Sequence, residues 1–220
     1  MRCANLLFDL DGTLTDPKIG ISRCIQYALS ALGHEPPNTD TLDWCIGPPL
    51  QYSFGRLLDS TDVDLLGQAV HLYRQRFAAI GLFENRVYDG IPKVLAELQQ
   101  RGCRLFLATS KPRIFAEQIL DHFNLAGYFE TAYGSELNGQ LTDKTSLVRH
   151  ILAIEGLQPD RTMIIGDRKF DIIGGKANGI RTGAVTYGYG TREELEAEAP
   201  DLLFDSTDQL LRQRNGTHLT

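Results

Sequence analysis

The sequence predicts an α/β fold in which helices cover both faces of a parallel sheet, with an all-helical segment inserted after the first strand. Short, continuously apolar runs recur along the chain, and helical patterns separate the later runs. Continuous runs are typical of strands buried on both faces, and strand–helix alternation is typical of parallel sheets. Nearly a hundred residues separate the first two runs, and they contain no convincing strand, which predicts the insertion.

The sheet elements follow from these runs in chain order. We predict strands at 4–9, 104–109, 162–167 and 181–186, and a weaker one at 201–205. Helices are predicted at 91–101, 114–123, 144–155 and 170–178. The first of these helices places Val94, Leu95 and Leu98 on one face, with Pro92 near its start and Gly102 just past its end. That arrangement of proline and glycine is typical of helix boundaries.

The inserted segment has its own helical pattern. It begins with a helix at 19–32, closed by Gly33, and continues through a Pro-rich loop at 34–38 and a turn at Gly47. A longer helical stretch covers 62–80 and is closed by Gly81. We therefore predict an α/β core of residues 1–15 and 89–220, and a helical cap of residues 16–88.

Composition and charge exclude several classes of protein. The chain has 220 residues, of which 42% are hydrophobic and 23% charged, and its net charge is −6. These values are ordinary for a globular protein and exclude a disordered chain, collagen and a coiled coil. An acidic balance without a Lys/Arg block argues against a nucleic-acid binder.

Cysteine spacing and hydropathy predict the compartment. Cys3, Cys24, Cys45 and Cys103 form no CxxC pair, a pattern that favours reduced thiols over disulfides or a zinc site. No apolar run approaches the roughly 18 residues of a membrane span, and the N-terminus lacks a signal-peptide layout. We expect a cytoplasmic protein without membrane contact; the sequence leaves open whether it is a monomer or a homodimer.

The strongest local pattern directly follows the first predicted strand, where Asp9 and Asp11 flank Leu10 and Gly12 comes next. Ligands of open parallel sheets bind beyond the carboxyl ends of the strands, and alternation sends both carboxylates the same way. Neighbouring carboxylates repel each other unless a cation lies between them or one keeps its proton. By itself, the pattern also fits an Asp-Gly turn in which Asp9 caps a helix.

Three further groups of polar residues lie near predicted strand ends or helix starts. Thr109-Ser110-Lys111 ends the second run, and Lys144 opens a helix. Asp167 ends the third run, with Asp171 four residues on, and such carboxylates suit Mg²⁺. Each group by itself also fits a helix cap or a solvated surface residue. Together they suit a single task, which is to hold Mg²⁺ and a phosphate.

This combination of motifs resembles the haloacid dehalogenase superfamily of phosphohydrolases, in the branch with a helical cap after the first motif. The segments FDLDGTLTD, LATSK, Lys144 and IIGDRKFD stand in that family's order and approximate spacing. The stretch GDRKFDIIGGKANGI and the turn IGPPL are similar to the phosphoglycolate-phosphatase-like subgroup, some members of which are assigned as 5′-nucleotidases. The resemblance implies a Rossmann-like parallel sheet core with a helical cap, Mg²⁺ as cofactor and a small phosphorylated metabolite as partner.

The resemblance also implies residue roles. Asp9 is expected to be the nucleophile that forms an aspartyl-phosphate, and Asp11 the general acid and then the general base. Thr109 is expected to hydrogen-bond the phosphoryl group, and Lys144 to hold nucleophile and phosphate together. Metal ligation is expected from Asp9, Asp167 and the backbone carbonyl of Asp11, with Asp171 supporting the site.

Substrate-binding residues are predicted in both regions. In the core they are Gly12, Thr13, Ser110 and Lys111, although Ser110 stands where the family often has asparagine. In the cap the main candidate is Arg74, and the others are Lys18, Arg76 and the turn at 47–50. The physical chemistry is consistent with these roles, because an anionic nucleophile approaches a phosphate dianion only with cationic help.

Several readings stay open at this point. The motifs favour a phosphatase most similar to phosphoglycolate phosphatases, but a 5′-nucleotidase, a sugar-phosphate phosphatase or a phosphomutase would use the same core. From other classes, a phospho-accepting receiver domain has no use for the helical insertion, and an idle interaction module would be favoured by loss of Asp9 or Asp11. The chain has no GxxxxGK[ST] loop and no GxGxxG, so nucleoside triphosphate or dinucleotide cofactors are not expected.

Overall fold

The structure, a computed structural model, describes residues 4–212. Its strands are β1 (Asn5–Phe8), β2 (Thr15–Asp16), β3 (Arg86–Val87), β4 (Arg104–Pro112), β5 (Thr131–Ser135), β6 (Thr162–Gly166), β7 (Arg181–Val185) and β8 (Leu202–Phe204). Its α-helices are α1 (Lys18–Ala31), α2 (Leu50–Leu57), α3 (Val63–Arg76), α4 (Ile91–Gln100), α5 (Arg113–His122), α6 (Lys144–Glu155), α7 (Lys169–Ala177) and α8 (Arg192–Ala197). Cys3 lies outside the described residues.

The chain divides into two compact units. The first contains the residues up to Thr15 and those from Val87 onward, and the second is Asp16–Arg86. The assignment of these units as catalytic core and cap stays a prediction. Within residues 4–212, none of the helices combines the length and apolar character that a membrane span requires.

Six strands of the first unit form one parallel sheet in the order β5-β4-β1-β6-β7-β8. The predicted α/β fold with a parallel sheet is thereby confirmed. Leu7 of β1 pairs with Phe106 of β4 on one side and with Ile164 of β6 on the other. All three side chains are fully buried and pack with Leu147 and Ile151 of α6. Every residue of β1 and β6 is buried, so the continuous apolar runs mark strands covered on both faces.

The order of the strands determines where a ligand site is expected. From β1 the chain first adds β4 and β5 on one side, and then β6, β7 and β8 on the other. The direction in which strands are added therefore reverses between β1 and β6. Such a switch point leaves a crevice at the carboxyl ends of the strands. The residues that follow β1 and β6 border that crevice.

Five of the strands and α-helices in residues 4–212 were missed by the sequence patterns. Two are the two-residue strands β2 and β3, which pair with each other. They correct the expectation of an all-helical insertion, and they are too short to leave an apolar run. The other three are β5, α2 and α8. Strand β5 is short, contains Gly134 and is only partly buried at the sheet edge, so it lacks a continuous apolar run. Helix α8 has a single buried residue, Leu195, and α2 has eight residues including Gly55. The helix predicted at 62–80 is α3 followed by a π-helical turn at Phe77–Gly81.

The second unit has an interior of its own. Cys24 and Ile25 of α1 are fully buried, and Tyr73 of α3 is nearly so. The Tyr73 ring meets Phe54 edge-to-face with centroids 6.3 Å apart, and it stacks on Phe77 at 5.4 Å. Aromatic pairs in these geometries add to the energy of apolar burial, so packing between helices stabilises this unit.

Candidate active site

Three neighbouring strands end in polar side chains at the edge of the sheet that is formed by the carboxyl ends of the strands. Asp9 follows β1, Thr109 lies in the last part of β4, and Asp167 follows β6. The Asp9 N–H donates to the Ile165 carbonyl at 2.9 Å, which extends the pairing of β1 with β6 by one residue. The structure therefore brings the predicted nucleophile and the predicted metal ligand Asp167 to the same edge, and all three side chains are buried.

Lys144, the first residue of α6, connects several parts of this edge. Its Nζ lies 2.9 Å from Asp9 Oδ1 and 2.8 Å from Asp171 Oδ1, and it donates to the Ala108 carbonyl at 2.9 Å. The contacts with Asp9 and Ala108 are hydrogen bonds, and the contact with Asp171 is an ion pair. Burial lowers the pKa of Lys144, but the charges of Asp171 and Asp9 outweigh that effect and raise it overall. Lys144 therefore stays protonated.

Asp9, Asp167 and Asp171 form an acidic cluster in which one oxygen of each lies within 4.8 Å of the others. Burial raises the pKa of Asp167 well above its ordinary value, and the charges of Asp9 and Asp171 add to the rise. Burial also raises the pKa of Asp171 to about 6, against the opposing effect of Lys144. Such crowding of carboxylates is costly without a counter-charge.

Asp171 has a second, structural function. Its Oδ2 accepts a hydrogen bond from the Arg168 N–H at 3.2 Å, at the start of α7. A carboxylate at this position satisfies an otherwise unpaired backbone donor and interacts favourably with the helix dipole. Asp171 therefore both caps the start of α7 and belongs to the acidic cluster.

Asp11 is paired with the second lysine of the site. Lys111 Nζ lies 2.7 Å from Asp11 Oδ2, and the two side chains are only 7% and 13% exposed. Burial raises the pKa of Asp11, and Lys111 opposes that rise. The other oxygen, Oδ1, is buried and has no hydrogen-bond partner among the described residues. The sequence patterns did not reveal this ion pair.

The donor set fits a divalent cation. Asp9, Asp11, Asp167 and Asp171 supply four carboxylates, whereas Lys111 and Lys144 supply two positive charges. With all four carboxylates ionised, two formal negative charges remain at an edge that is mostly buried. Mg²⁺ takes oxygen ligands and is commonly held by one or two carboxylates, so a single Mg²⁺ would neutralise the surplus.

Gly12 allows the backbone to pass close to this cluster. Its φ is +83°, a conformation that favours glycine, and a Cβ there would lie 2.0 Å from Asp167 Oδ2. Thr13 is fully buried, and its hydroxyl donates to Asp167 Oδ1 at the long distance of 3.5 Å. This placement connects Thr13 with the acidic cluster, and its predicted contact with substrate stays a prediction.

The loop after β7 contributes residues that the sequence analysis did not single out. The Tyr189 N–H donates to Asp167 Oδ2 at 2.8 Å, and the Tyr187 hydroxyl donates to the Thr13 carbonyl at 3.0 Å. A Cβ on Gly188 would lie 2.3 Å from the Asp167 Cβ. The segment Tyr-Gly-Tyr-Gly at a strand's carboxyl end was the available signal, because ligand sites of parallel sheets form there.

Thr109, Ser110 and Lys111 lie where the pairing of β4 with β5 becomes irregular. The register shifts between Ala108 and Pro112, and such irregularities redirect side chains. The Thr109 hydroxyl accepts from the Lys111 N–H at 3.2 Å, and the Ser110 carbonyl accepts from the Ser135 hydroxyl at 2.8 Å. The end of β4 is therefore held in place around the predicted phosphate-binding residues.

The candidate substrate-binding residues of the second unit differ in their surroundings. Lys18 Nζ lies 2.9 Å from Asp43 and 3.2 Å from Asp40. Arg76 donates to both oxygens of Glu84, at 2.7 and 3.1 Å. These ion pairs give Lys18 and Arg76 structural partners inside the unit. Arg74 lies in α3, the turn at 47–50 leads into α2, and the predicted contacts of both with substrate stay predictions.

Comparison with known proteins agrees with this architecture. Residues 6–185 match the haloacid dehalogenase-like hydrolase family. The chain belongs to that family. A solved structure from Clostridium acetobutylicum, described as a predicted phosphatase, matches this hydrolase with a TM-score of 0.92 at 38% identity, covering 97% of this chain and 98% of that one.

Relatives of this hydrolase have names from several activities. A 5′-nucleotidase of Pseudomonas aeruginosa is 46% identical over 91% of this chain and 90% of its own length. The tyrosine-protein kinase PtkA of Mycobacterium tuberculosis is 35% identical over 87% of this chain, which spans 65% of that protein. Phosphoglycolate phosphatase 1 of P. aeruginosa is 28% identical over 94% of this chain and 78% of its own length. The resemblance to phosphoglycolate-phosphatase-like members of the family is thereby confirmed.

Proposed function

We propose that this hydrolase is a Mg²⁺-dependent phosphatase that cleaves a small phosphomonoester through an aspartyl-phosphate on Asp9. The observation that carries the proposal is the arrangement around Asp9. Its carboxylate is buried, bound by Lys144 at 2.9 Å, and part of the three-carboxylate cluster. Asp11, paired with Lys111, follows two residues later. A nucleophile, its cationic support and a second acid therefore share one edge of the sheet.

The first step forms the bond between an Asp9 oxygen and phosphorus and breaks the bond between phosphorus and the leaving oxygen. Asp11 gives a proton to that oxygen, and the alcohol departs. The Thr109 hydroxyl, whose oxygen accepts from the Lys111 N–H, donates to a phosphoryl oxygen. Lys144 exchanges one of its three contacts for the phosphoryl group and reduces the repulsion between nucleophile and phosphate.

In the second step, water attacks phosphorus and Asp11 takes the proton of that water. The bond between phosphorus and Asp9 breaks, which restores the carboxylate and releases inorganic phosphate. Covalent catalysis of this kind replaces one difficult displacement by two easier ones. Asp11 has returned to its protonated form, so the cycle is complete.

Mg²⁺ would be held by Asp9, Asp167 and the backbone carbonyl of Asp11, and when bound it supplies charge neutralisation at the phosphoryl oxygens. Asp171 supports this site through Lys144 and the Arg168 N–H. The Tyr189 N–H orients Asp167, and Gly188 lets the backbone pass close to it. These groups keep the carboxylates in place around the ion, as outer-shell partners of metal ligands do.

For the substrate we propose a nucleoside 5′-monophosphate as the first candidate. The 5′-nucleotidase relative is 46% identical over nearly the whole chain, whereas the phosphoglycolate phosphatase relative is 28% identical. Phosphoglycolate, which the motifs favoured, is the second candidate, and a sugar phosphate is the third. The core meets only the phosphate group that these compounds share, so fold alone does not decide among them.

The test is phosphate release from p-nitrophenyl phosphate, nucleoside monophosphates, phosphoglycolate and a sugar phosphate. We expect activity with Mg²⁺, no activity after thorough chelation, and restoration when Mg²⁺ is added back. Asp9→Asn should lower kcat by about 10³-fold or more, whereas Asp160→Asn, at an exposed position of the same unit, should leave it unchanged. Full activity of Asp9→Asn would disprove the nucleophile, and activity after chelation would disprove the metal requirement.

A further inference from the structure

The two lysines of the site have different partners. Lys144 is shared by Asp9, Asp171 and the Ala108 carbonyl, whereas Lys111 lies 2.7 Å from Asp11 Oδ2. The Lys111 and Asp11 side chains are nearly buried, at 7% and 13% exposed, so water screens their attraction little. A close, poorly solvated ion pair of this kind fixes the orientation of the carboxylate plane.

The position of Lys111 is itself fixed by the sheet. Its N–H donates to the Thr109 hydroxyl at 3.2 Å, and the preceding carbonyl, that of Ser110, accepts from Ser135 of β5. Asp11 lies on the neighbouring turn, where the Gly12 N–H donates to the Thr15 carbonyl at 2.7 Å. The ion pair therefore connects the end of β4 with the turn that follows β1.

The pair makes the two oxygens of Asp11 unequal. Oδ2 faces an ammonium group, whereas Oδ1 is buried with no hydrogen-bond partner within residues 4–212. Lys111 Nζ occupies Oδ2, so Oδ1 is the oxygen that remains for contact with a ligand. An unpartnered polar atom in such a place is costly unless a ligand group meets it during function.

We infer that Lys111 is a positioning residue: it holds Asp11 Oδ2 so that Oδ1 faces the leaving oxygen of the substrate. The inference rests on the proposed phosphatase function, and it assigns to Lys111 a task other than the substrate contact that the sequence predicts. In the first step, the bond between phosphorus and the leaving oxygen breaks, and that oxygen takes the proton of Oδ1. In the second step, Oδ1 receives the proton of the attacking water.

The test compares two leaving groups in the Lys111→Met variant. The alkoxide of glycerol 2-phosphate or AMP needs a proton to depart, whereas the nitrophenolate of p-nitrophenyl phosphate departs without one. We expect kcat for the alkyl esters to fall about 10²-fold, as misplaced catalytic groups cause, with a much smaller fall for p-nitrophenyl phosphate. KM should stay unchanged for both, and Lys111→Arg should recover most of the alkyl-ester rate.

Two controls separate positioning from other effects. In an Asp11→Asn background, Lys111→Met should add no further loss, because residues that act as a unit are not additive. Lys93→Met removes a lysine charge at an exposed position of α4 and should change neither substrate's kinetics. Circular dichroism should give the same spectrum for each variant as for wild type.

Other outcomes would overturn the inference in distinguishable ways. A rise in KM with both leaving groups would make Lys111 a substrate-binding residue. Equal falls in kcat with both leaving groups, or an additive loss in the Asp11→Asn background, would exclude positioning of Asp11. A wild-type protein that hydrolyses only p-nitrophenyl phosphate would remove the proton-transfer step, and one that hydrolyses no phosphomonoester would remove the proposed function itself.

Discussion

Lys144 in the first unit and Lys18 in the second each lie within 3.2 Å of two carboxylates, but their surroundings differ. The Lys144 side chain is 4% exposed, and its partners Asp9 and Asp171 are 11% and 2% exposed. The Lys18 side chain is 27% exposed, and its partners Asp43 and Asp40 are 48% and 81% exposed. One lysine is enclosed with its carboxylates, whereas the other forms a surface cluster.

The balance of charge differs as well. In the second unit, Glu84 has Arg76 and Arg23 as partners, and Arg86 pairs with Asp16. In the first unit, four carboxylates share two lysines and lie largely out of water. Ion pairs that balance each other are ordinary structural features, whereas a buried surplus is retained at a cost in stability. A buried surplus of this kind is typical of functional sites, which is consistent with the proposed cation-binding and catalytic site.

Replacement of Lys144 or Lys18 by methionine is expected to give the largest difference between the two units in the free energy of unfolding. Lys144→Met leaves Asp9 and Asp171 buried without their counter-charge, and breaking a buried pair in this way costs about 3–5 kcal/mol. Lys18→Met, the same change at a surface cluster, should cost about 0–1 kcal/mol. Urea unfolding at pH 7, followed by circular dichroism, measures both. Similar losses for the two variants would contradict the distinction between the units.

The effect of Mg²⁺ on stability is expected to give the next largest difference between substitutions in the two units. Because the surplus fits a divalent cation, Mg²⁺ at about 100 times its Kd should stabilise the protein by about 2.7 kcal/mol. Asp167→Asn should abolish the rise in Tm that Mg²⁺ causes, whereas Asp43→Asn in the second unit should keep it. Thermal unfolding with Mg²⁺ and with a chelator measures the effect. An equal rise in the Asp167→Asn protein would place the ion elsewhere.

Five of the six strands of the parallel sheet, and the acidic residues that follow β1 and β6, could be predicted from the sequence because they leave local patterns. The runs around Leu7 and Ile164 are apolar on both faces, and Asp9 and Asp167 directly follow them. The Lys111–Asp11 pair could not be predicted in this way, since it depends on how the end of β4 turns beside the neighbouring strand. The contact of the Tyr189 N–H with Asp167 is a backbone hydrogen bond, which no side-chain pattern reveals.

The pH dependence of the second unit gives the smallest expected effect. Hydrogen bonds from Arg76 lower the pKa of Glu84 from its ordinary value of 4.5, and burial opposes this. A carboxyl whose pKa is lower in the folded state contributes stability above its unfolded pKa, and this is lost as the pH falls through the folded pKa. The contribution should therefore be complete at pH 7 and decline below about pH 4.5.

Glu84→Gln keeps the size of the side chain and removes its charge, so it should cost about 1 kcal/mol at pH 7. The difference from wild type should shrink as the pH falls from 4.5 toward 3, because protonation removes the same charge from the wild-type protein. Fluorescence of Trp44, the chain's single tryptophan, follows urea unfolding of this unit, and Glu35→Gln at an exposed position is the matched control. A difference that stayed constant with pH would mean that the cost of Glu84→Gln does not come from loss of the carboxylate charge, so that even the balanced ion pairs of this unit contribute little through their charge.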